Sequence, residues 1–225
     1  MGQAIGGGMG HETLQMRLRF LVVVTAPMAL LLGFGLRPYL SNPRHPSVNA
    51  AAVVHASNRW IWGHLIVALG LALTILSMLA IRSWLRSKGE RFWSFTAVAL
   101  VACGAVALVF LIGFDGLGGW ATVRSGNDPE AFFGIARDWE RPLYLAGATL
   151  LGAGWLALTR AVALAGALTR RRLAVILVGV GVAVVVTVFP TGWAVYVMSL
   201  GGGAASWPIA LTMWGEAGSL ASGSR

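Results

Sequence analysis

Residues 92–113 read FWSFTAVALVACGAVALVFLIG. The run contains no charged side chain and no alternation of apolar and polar residues. A helix needs about 20 such residues to cross the roughly 30 Å hydrocarbon layer of a bilayer. A strand of a membrane β-barrel would alternate between its lipid and lumen faces. An unbroken run predicts instead a helix, which satisfies its own backbone polar groups.

Comparable runs extend from about Arg19 to Leu36, Trp60 to Ile81, Pro142 to Thr159, Leu173 to Phe189 and Trp193 to Trp214. The chain, residues 1–225, therefore reads as one transmembrane domain, an all-α polytopic bundle of six helices. The sixth crossing rests on reading Pro190-Thr191-Gly192 as a tight hairpin. Five crossings result if Leu173 to Leu200 is one Pro-kinked helix that ends at Gly201-Gly202-Gly203.

Composition agrees. The 225 residues are 57% hydrophobic and 11% charged, against about 25% charged residues in soluble domains. The formal charge of +9 does not indicate nucleic acid, because the basic residues fall between the apolar runs and form no continuous face. The bilayer is the expected partner, with other membrane subunits as further candidates. The single cysteine, Cys103, lies mid-run and reads as a small buried hydrophobe. The first apolar run lacks a small-residue cleavage pattern and reads as a retained helix rather than a signal peptide. Gly6 stands where a myristoylation motif requires Ser or Thr.

The basic residues also orient the chain. Eleven of seventeen Lys and Arg lie on the side of the N-terminus, the 82–91 and 160–172 connections and Arg225. Arg37, Arg44, Arg59, Arg124, Arg137 and Arg141 lie on the other. The positive-inside rule then places both termini in the cytoplasm. It also makes residues 114–141 a long outer loop, holding Asp115, Asp128, Glu130, Asp138 and Glu140. Small residues at four-residue spacing, Ala99, Cys103 and Ala107 in the third helix with Ala148 and Gly152 in the fourth, suggest close helix crossings.

Ionisable groups at membrane depth are costly and so are the first candidates for function. His64 lies about one turn inside the second helix, and Asp115 just past the third. Both belong near the outer interface, so a His64–Asp115 pair forms a candidate proton-responsive site. Arg59 and Arg141 open the second and fourth helices and read as headgroup anchors or anion-binding groups. Trp60, Trp62, Trp120 and Trp193, like Trp139 and Trp207, fall where an aromatic belt is expected.

Cofactor signatures are weak. Bis-histidine haem needs two histidines on facing helices, and of His11, His45, His55 and His64 only His64 is within an apolar run. On one continuous helix His55 and His64 would lie about 13.5 Å apart on opposite faces. The sequence holds no HExxH or other zinc ligand set, no P-loop lysine and no convergent catalytic set, so neither a metal nor a catalytic residue is assigned.

Arg59-Trp60 with Trp62-Gly63-His64, and Phe114-Asp115-Gly116, resemble short strings in families of uncharacterised bacterial six-helix integral membrane proteins. The resemblance covers most of the chain. It implies a six-helix fold in a bacterial cytoplasmic membrane, and it carries over no catalytic residue. An alanine- and valine-rich, lysine-poor composition also suits a high-GC bacterium. The expected function is a non-enzymatic accessory, sensor-like or assembly role. The alternatives are a small-solute permease or proton-coupled carrier using His64 and Asp115, and a membrane redox or haem protein.

Overall fold

A computed structural model describes residues 6–43, 45–187 and 192–222, and every regular element among them is helical. The helices are α1 (Gly6–Leu36), α2 (Pro46–His55), α3 (Ser57–Ser87), α4 (Phe92–Gly113), α5 (Gly119–Arg124), α6 (Pro129–Leu164), α7 (Arg170–Thr187) and α8 (Ala194–Ser222). A π-helical turn, Phe114–Gly118, joins α4 to α5.

The six long helices form a closed ring in which each packs against the next in the chain and α8 returns to α1. Neighbours are antiparallel. Ser77 Oγ on α3 donates to the Val22 carbonyl of α1 at 2.9 Å, and Arg19 Nη2 reaches Ser83 Oγ at 2.9 Å. Phe20 meets Trp214 at 4.8 Å at one end of the α1–α8 contact, and Tyr196 donates to the Phe34 carbonyl at the other. Arg172 Nη1 donates to Thr212 Oγ1, tying α7 to α8.

Apolar side chains lie on both sides of this ring. Met78, Ile81, Leu158, Ile176, Ile209 and Met213 are buried within it, whereas Leu69, Val106, Phe110, Val178 and Val185 are exposed on its outside. Water does not reward that outer surface, but a bilayer does. Five described segments are long and apolar enough to cross a membrane: Leu14–Leu36, Ser57–Ser87, Phe92–Arg124, Pro129–Leu164 and Ala194–Ser219. Helix α7 completes the ring but is shorter. Arginines occupy its first turn, and the 15 residues from Leu173 to Thr187 extend only about 22 Å at 1.5 Å per residue. The expected hairpin at Pro190-Thr191, the end of the fifth run at Phe189, and Arg44 and Arg225 lie outside the described residues.

Several expectations require correction. Residues 114–141 are not a loop: α4 continues through the π-turn and α5, and α6 begins at Pro129 after a short turn. The early part of α6 is amphipathic, exposing Glu130, Arg137, Asp138 and Arg141 while burying Phe133 and Ala136, so mean apolarity understates it. Its start carries a cap, with Asp128 accepting from the Glu130 amide at 2.9 Å and Pro129 in the first turn. Pro142 lies inside α6, not at its start. The carbonyl it leaves free belongs to Asp138, on an exposed face.

The glycine run 201–203 likewise does not end a helix, since α8 passes through it and through Pro208. Gly201 instead forms the α7–α8 crossing, where a Cβ would lie 2.7 Å from the Gly179 carbonyl. The α4–α6 crossing uses Gly104, Gly147 and Gly154, not the expected Ala99–Cys103 stripe. Ala99 and Cys103 face outward, and Cys103 is exposed on the bundle surface rather than buried.

The up–down order gathers Arg17, Arg19, Arg82, Arg86, Lys88, Arg91, Arg160 and Arg170–Arg172 at one end of the bundle, where α1 begins and α8 ends. Here Trp84, with no exposed surface, donates its indole N–H to Glu216 Oε2 at 2.7 Å, and Lys88 Nζ lies 2.8 Å from Oε1. The two contacts differ in worth. Removing Glu216 orphans a buried donor, so Glu216→Ala is expected to cost about 1–3 kcal/mol. Lys88→Ala removes a part-exposed ion pair and is expected to cost less than about 1 kcal/mol. Thermal unfolding in detergent micelles compares them, and equal losses would show that the ion pair, not the indole contact, matters.

Candidate functional site

The opposite end of the ring is capped by α2, α5 and the start of α6, with Leu40, Val53, Trp60 and Phe133 as a small core. Trp60 and His64 lie one turn apart on α3 and share its inward face. His64 is 2% exposed, and its ring lies 4.4 Å from that of Trp60. Its Nδ1 lies 2.6 Å from the Trp60 carbonyl. A carbonyl only accepts, so Nδ1 carries a proton, and in the neutral form the ring presents a lone pair at Nε2. That Nε2 is buried and has no partner among the described residues.

Across from it lies the π-turn. Trp60 Nε1 donates to the Asp115 carbonyl at 3.1 Å, an acceptor that the widened turn leaves accessible. Gly116 sits directly on the histidine: a Cβ there would fall 2.5 Å from His64 Cβ and 2.9 Å from Cγ. Any larger residue would push α3 and α4 apart. The glycines of the FDGLGG stretch are thus contact positions rather than loop residues.

Two further side chains complete the cluster. Glu140 of α6 meets Asp115, the two carboxyl groups lying within hydrogen-bonding reach of each other. Neither carboxylate can donate, so the contact forms when one of them holds a proton. One oxygen of each, Asp115 Oδ1 and Glu140 Oε1, is buried without a partner among the described residues. Arg37 follows the end of α1, with its guanidinium 5.5 Å from the Trp60 ring and 5.8 Å from that of Phe34. It acts electrostatically on Asp115 and His64, with Tyr196 also nearby. Burial draws the Arg37 guanidinium below its ordinary pKa, with Asp115 and Tyr196 opposing. Arginine starts so far above neutrality that it stays cationic. When one proton bridges the carboxyl pair, Arg37 balances the remaining negative charge, which a low-dielectric setting requires. Phe114, Phe132, Phe133 and Trp139 pack against one another, edge-on and stacked, between the π-turn and α6.

The structure therefore brings His64 and Asp115 into one cluster and leaves Arg59 and Arg141 out of it. Arg59 is exposed and its Nε donates to the Leu36 carbonyl at 3.2 Å, capping the end of α1. Arg141 is exposed on α6. Trp60, expected at the lipid interface, is 1% exposed and belongs to the cluster. Trp62 and Trp193 are exposed, and Trp120 packs into the cap beneath Arg124. His55 ends α2 and is exposed, separated from α3 by the break at Ala56. Among the described residues no three His, Cys, Asp or Glu side chains are placed to hold a metal ion.

Sequence reasoning missed Arg37 and Glu140. A signal for Glu140 existed, since Phe133, Ala136, Glu140 and Gly147 recur at helical spacing behind an Asp-Pro cap. Arg37 gave none, because it lies outside any run and is recruited by α3 and the π-turn.

The fold and this cluster define a class of protein: an all-α bundle with membrane-spanning helices and ionisable side chains collected from several of them at one end. Comparison with models of protein families, with curated proteins and with solved structures found no match in any of the three. The resemblance in the short Arg59–His64 and Phe114–Gly116 strings gains no support from them.

Proposed function

We propose that the protein is a multi-pass protein of a bacterial cytoplasmic membrane that works as a proton-responsive sensor or accessory subunit. Its basic end would face the cytoplasm, following the positive-inside rule, and the polar cluster would face outward. Its partners are the bilayer and, in an assembly role, other membrane subunits. No nucleic acid or cofactor enters this reading.

The observation that carries it is a set of three buried polar atoms without a partner among the described residues, His64 Nε2, Asp115 Oδ1 and Glu140 Oε1, on three helical elements linked through Trp60, Arg37 and the Asp115–Glu140 contact. An unsatisfied buried polar group costs about 1–3 kcal/mol. Ionisable groups at such depth mark proton or ion handling more often than they stabilise a fold. Here a gain or loss of one proton changes the charge balance with Arg37 where α1, α3, α4 and α6 meet. The cap formed by α2 and α5 rests on the same side chains, so its packing would follow the protonation state.

The test is hydrogen exchange over residues 114–140 in nanodiscs as pH is varied. After correction for the intrinsic pH dependence of amide exchange, wild-type protein should show a pH-dependent change in protection factors of about tenfold or more, the effect of one proton coupled by roughly 1.4 kcal/mol. The double variant Asp115→Asn, Glu140→Gln should lose it, and Arg141→Gln should keep it. The same pH response in all three proteins would rule the site out as the sensor.

A second reading, a small-solute permease or proton-coupled carrier, is favoured by the π-turn, because such turns often occur where helices rearrange during function. It differs in requiring transfer: proteoliposomes should then dissipate a pH gradient, and His64→Ala should abolish that flux. A Soret band from purified protein would replace both readings with the haem alternative.

A further inference from the structure

At the basic end, the last turns of α3 and the entry to α4 enclose a cleft of about 340 Å³, lined by Leu79, Arg82, Ser83, Arg86, Ser87 and Arg91. Arg82 and Arg86 are four residues apart and share one face of α3. Arg91 approaches from the residue preceding α4. Three arginines thus line one small cleft.

The nearby acids are already used. Glu90 accepts from the Trp93 and Ser94 amides at 2.7 and 2.9 Å, capping α4. Glu216 is held by Trp84 and Lys88. Lys88–Glu216 is the ion pair recorded among the described residues, so the three arginines are not neutralised by carboxylates there. Arg82 Nε is buried without a partner among the described residues, a donor that an anion would satisfy. The guanidinium of Arg82 lies 5.2 Å from the Phe95 ring, which holds it in place. Ser87 donates to the Trp84 carbonyl and Ser83 accepts from Arg19, which brings a fourth cation to the rim.

We propose that this cleft binds a phosphate group, carried by an anionic phospholipid or free in solution. Guanidinium groups match phosphate oxygens in geometry and charge, and basic pockets at the ends of membrane helices hold anionic headgroups. The walls favour the lipid source. Leu79, Phe92 and Phe95 are exposed below and beside the cationic rim, where the glycerol and acyl chains of a bound lipid would lie.

Native mass spectrometry tests this with two probes, short-chain phosphatidylglycerol and inorganic phosphate, each titrated against detergent-solubilised full-length protein. Arg86 and Arg91 are exposed, so the double variant Arg86→Gln, Arg91→Gln should fold normally. It should bind phosphatidylglycerol at least about tenfold more weakly, because two charge-assisted contacts to the phosphate are lost. Arg170→Gln, Arg171→Gln removes the same charge at the same end and should bind as wild type does. If lipid binding falls in the first variant and inorganic phosphate does not compete, the lipid headgroup is the ligand. If inorganic phosphate binds by itself with the same arginine dependence, free phosphate is the ligand. Equal lipid and phosphate binding by both variants and wild type would overturn the site.

Discussion

Replacing Trp60 by alanine is expected to cost about 3–5 kcal/mol, the range for removing a fully buried large aromatic side chain. The residue is 1% exposed and contacts His64, Arg37 and the Asp115 carbonyl of the cluster. Its ring meets His64 at 4.4 Å and Phe133 at 5.7 Å, and the Arg37 guanidinium lies 5.5 Å above it. Its indole N–H is the bond that holds the π-turn, through the Asp115 carbonyl. Trp60→Phe separates the contributions. It keeps most of the packing and should lose about 0.5–1.5 kcal/mol for the hydrogen bond. Equilibrium unfolding in detergent measures both losses. Hydrogen exchange in α2 and α5 should accelerate in Trp60→Ala before it does in α7, which lies away from the cap. A tryptophan anchored in the headgroup region would behave differently, and a loss below about 1 kcal/mol would return Trp60 to that role.

Trp60 also shows where sequence reading stops. A tryptophan at the opening of a membrane helix fits an aromatic belt, and only the cap of α2, α5 and α6 folded over it makes it interior. The apolar runs were legible because each carries its own signal: some 20 consecutive residues without charge identify a helix whatever packs beside it. The extension over 114–141 was not, because one face of it carries the charged residues and apolarity averages over both faces. Periodicity would have served better there, as the Asp128-Pro129 start and the buried Phe133 and Ala136 show. The π-turn has no sequence signature beyond its glycines, which suit a loop equally well.

The site divides along the same line. His64 and Asp115 were legible singly, as ionisable residues at the margins of apolar runs. Their meeting was not, since it depends on α4 continuing past Gly113 and on Gly116 lying flush against His64. Glu140 and Arg37 acquire a role only from the closure of the ring, which brings the start of α6 and the end of α1 to one place. Charge statistics assigned both to the outer side of the membrane, a statement about their loops and not about their neighbours.

Gly104→Leu is expected to disrupt stability and the polar cluster together. A Cβ at Gly104 would stand 2.6 Å from the Gly147 carbonyl oxygen and 2.8 Å from the Leu151 amide nitrogen. Both are backbone atoms, which cannot rotate aside as a side chain would, so α4 and α6 must separate. Overpacking of a close contact costs about 1–3 kcal/mol, and helix association in a bilayer depends on just such contacts. Gly104 is replaced within a helix, which by itself would favour the variant by about 0.5–1 kcal/mol; the contact term is the larger. Gly181→Ala on α7 provides the comparison. Nothing lies within 4 Å of its Cβ position, so only the helix-propensity gain remains and the variant should be as stable as wild type or slightly more so. Because α4 leads into the turn that carries Asp115, and α6 carries Glu140, separating them should also part the carboxyl pair. The pH-dependent exchange expected of the wild type should then fade in Gly104→Leu while α1 and α8 remain folded. If thermal unfolding places Gly104→Leu and Gly181→Ala together at the wild-type midpoint, the α4–α6 crossing is not the backbone contact described, and the meeting of Asp115 with Glu140 loses its structural basis.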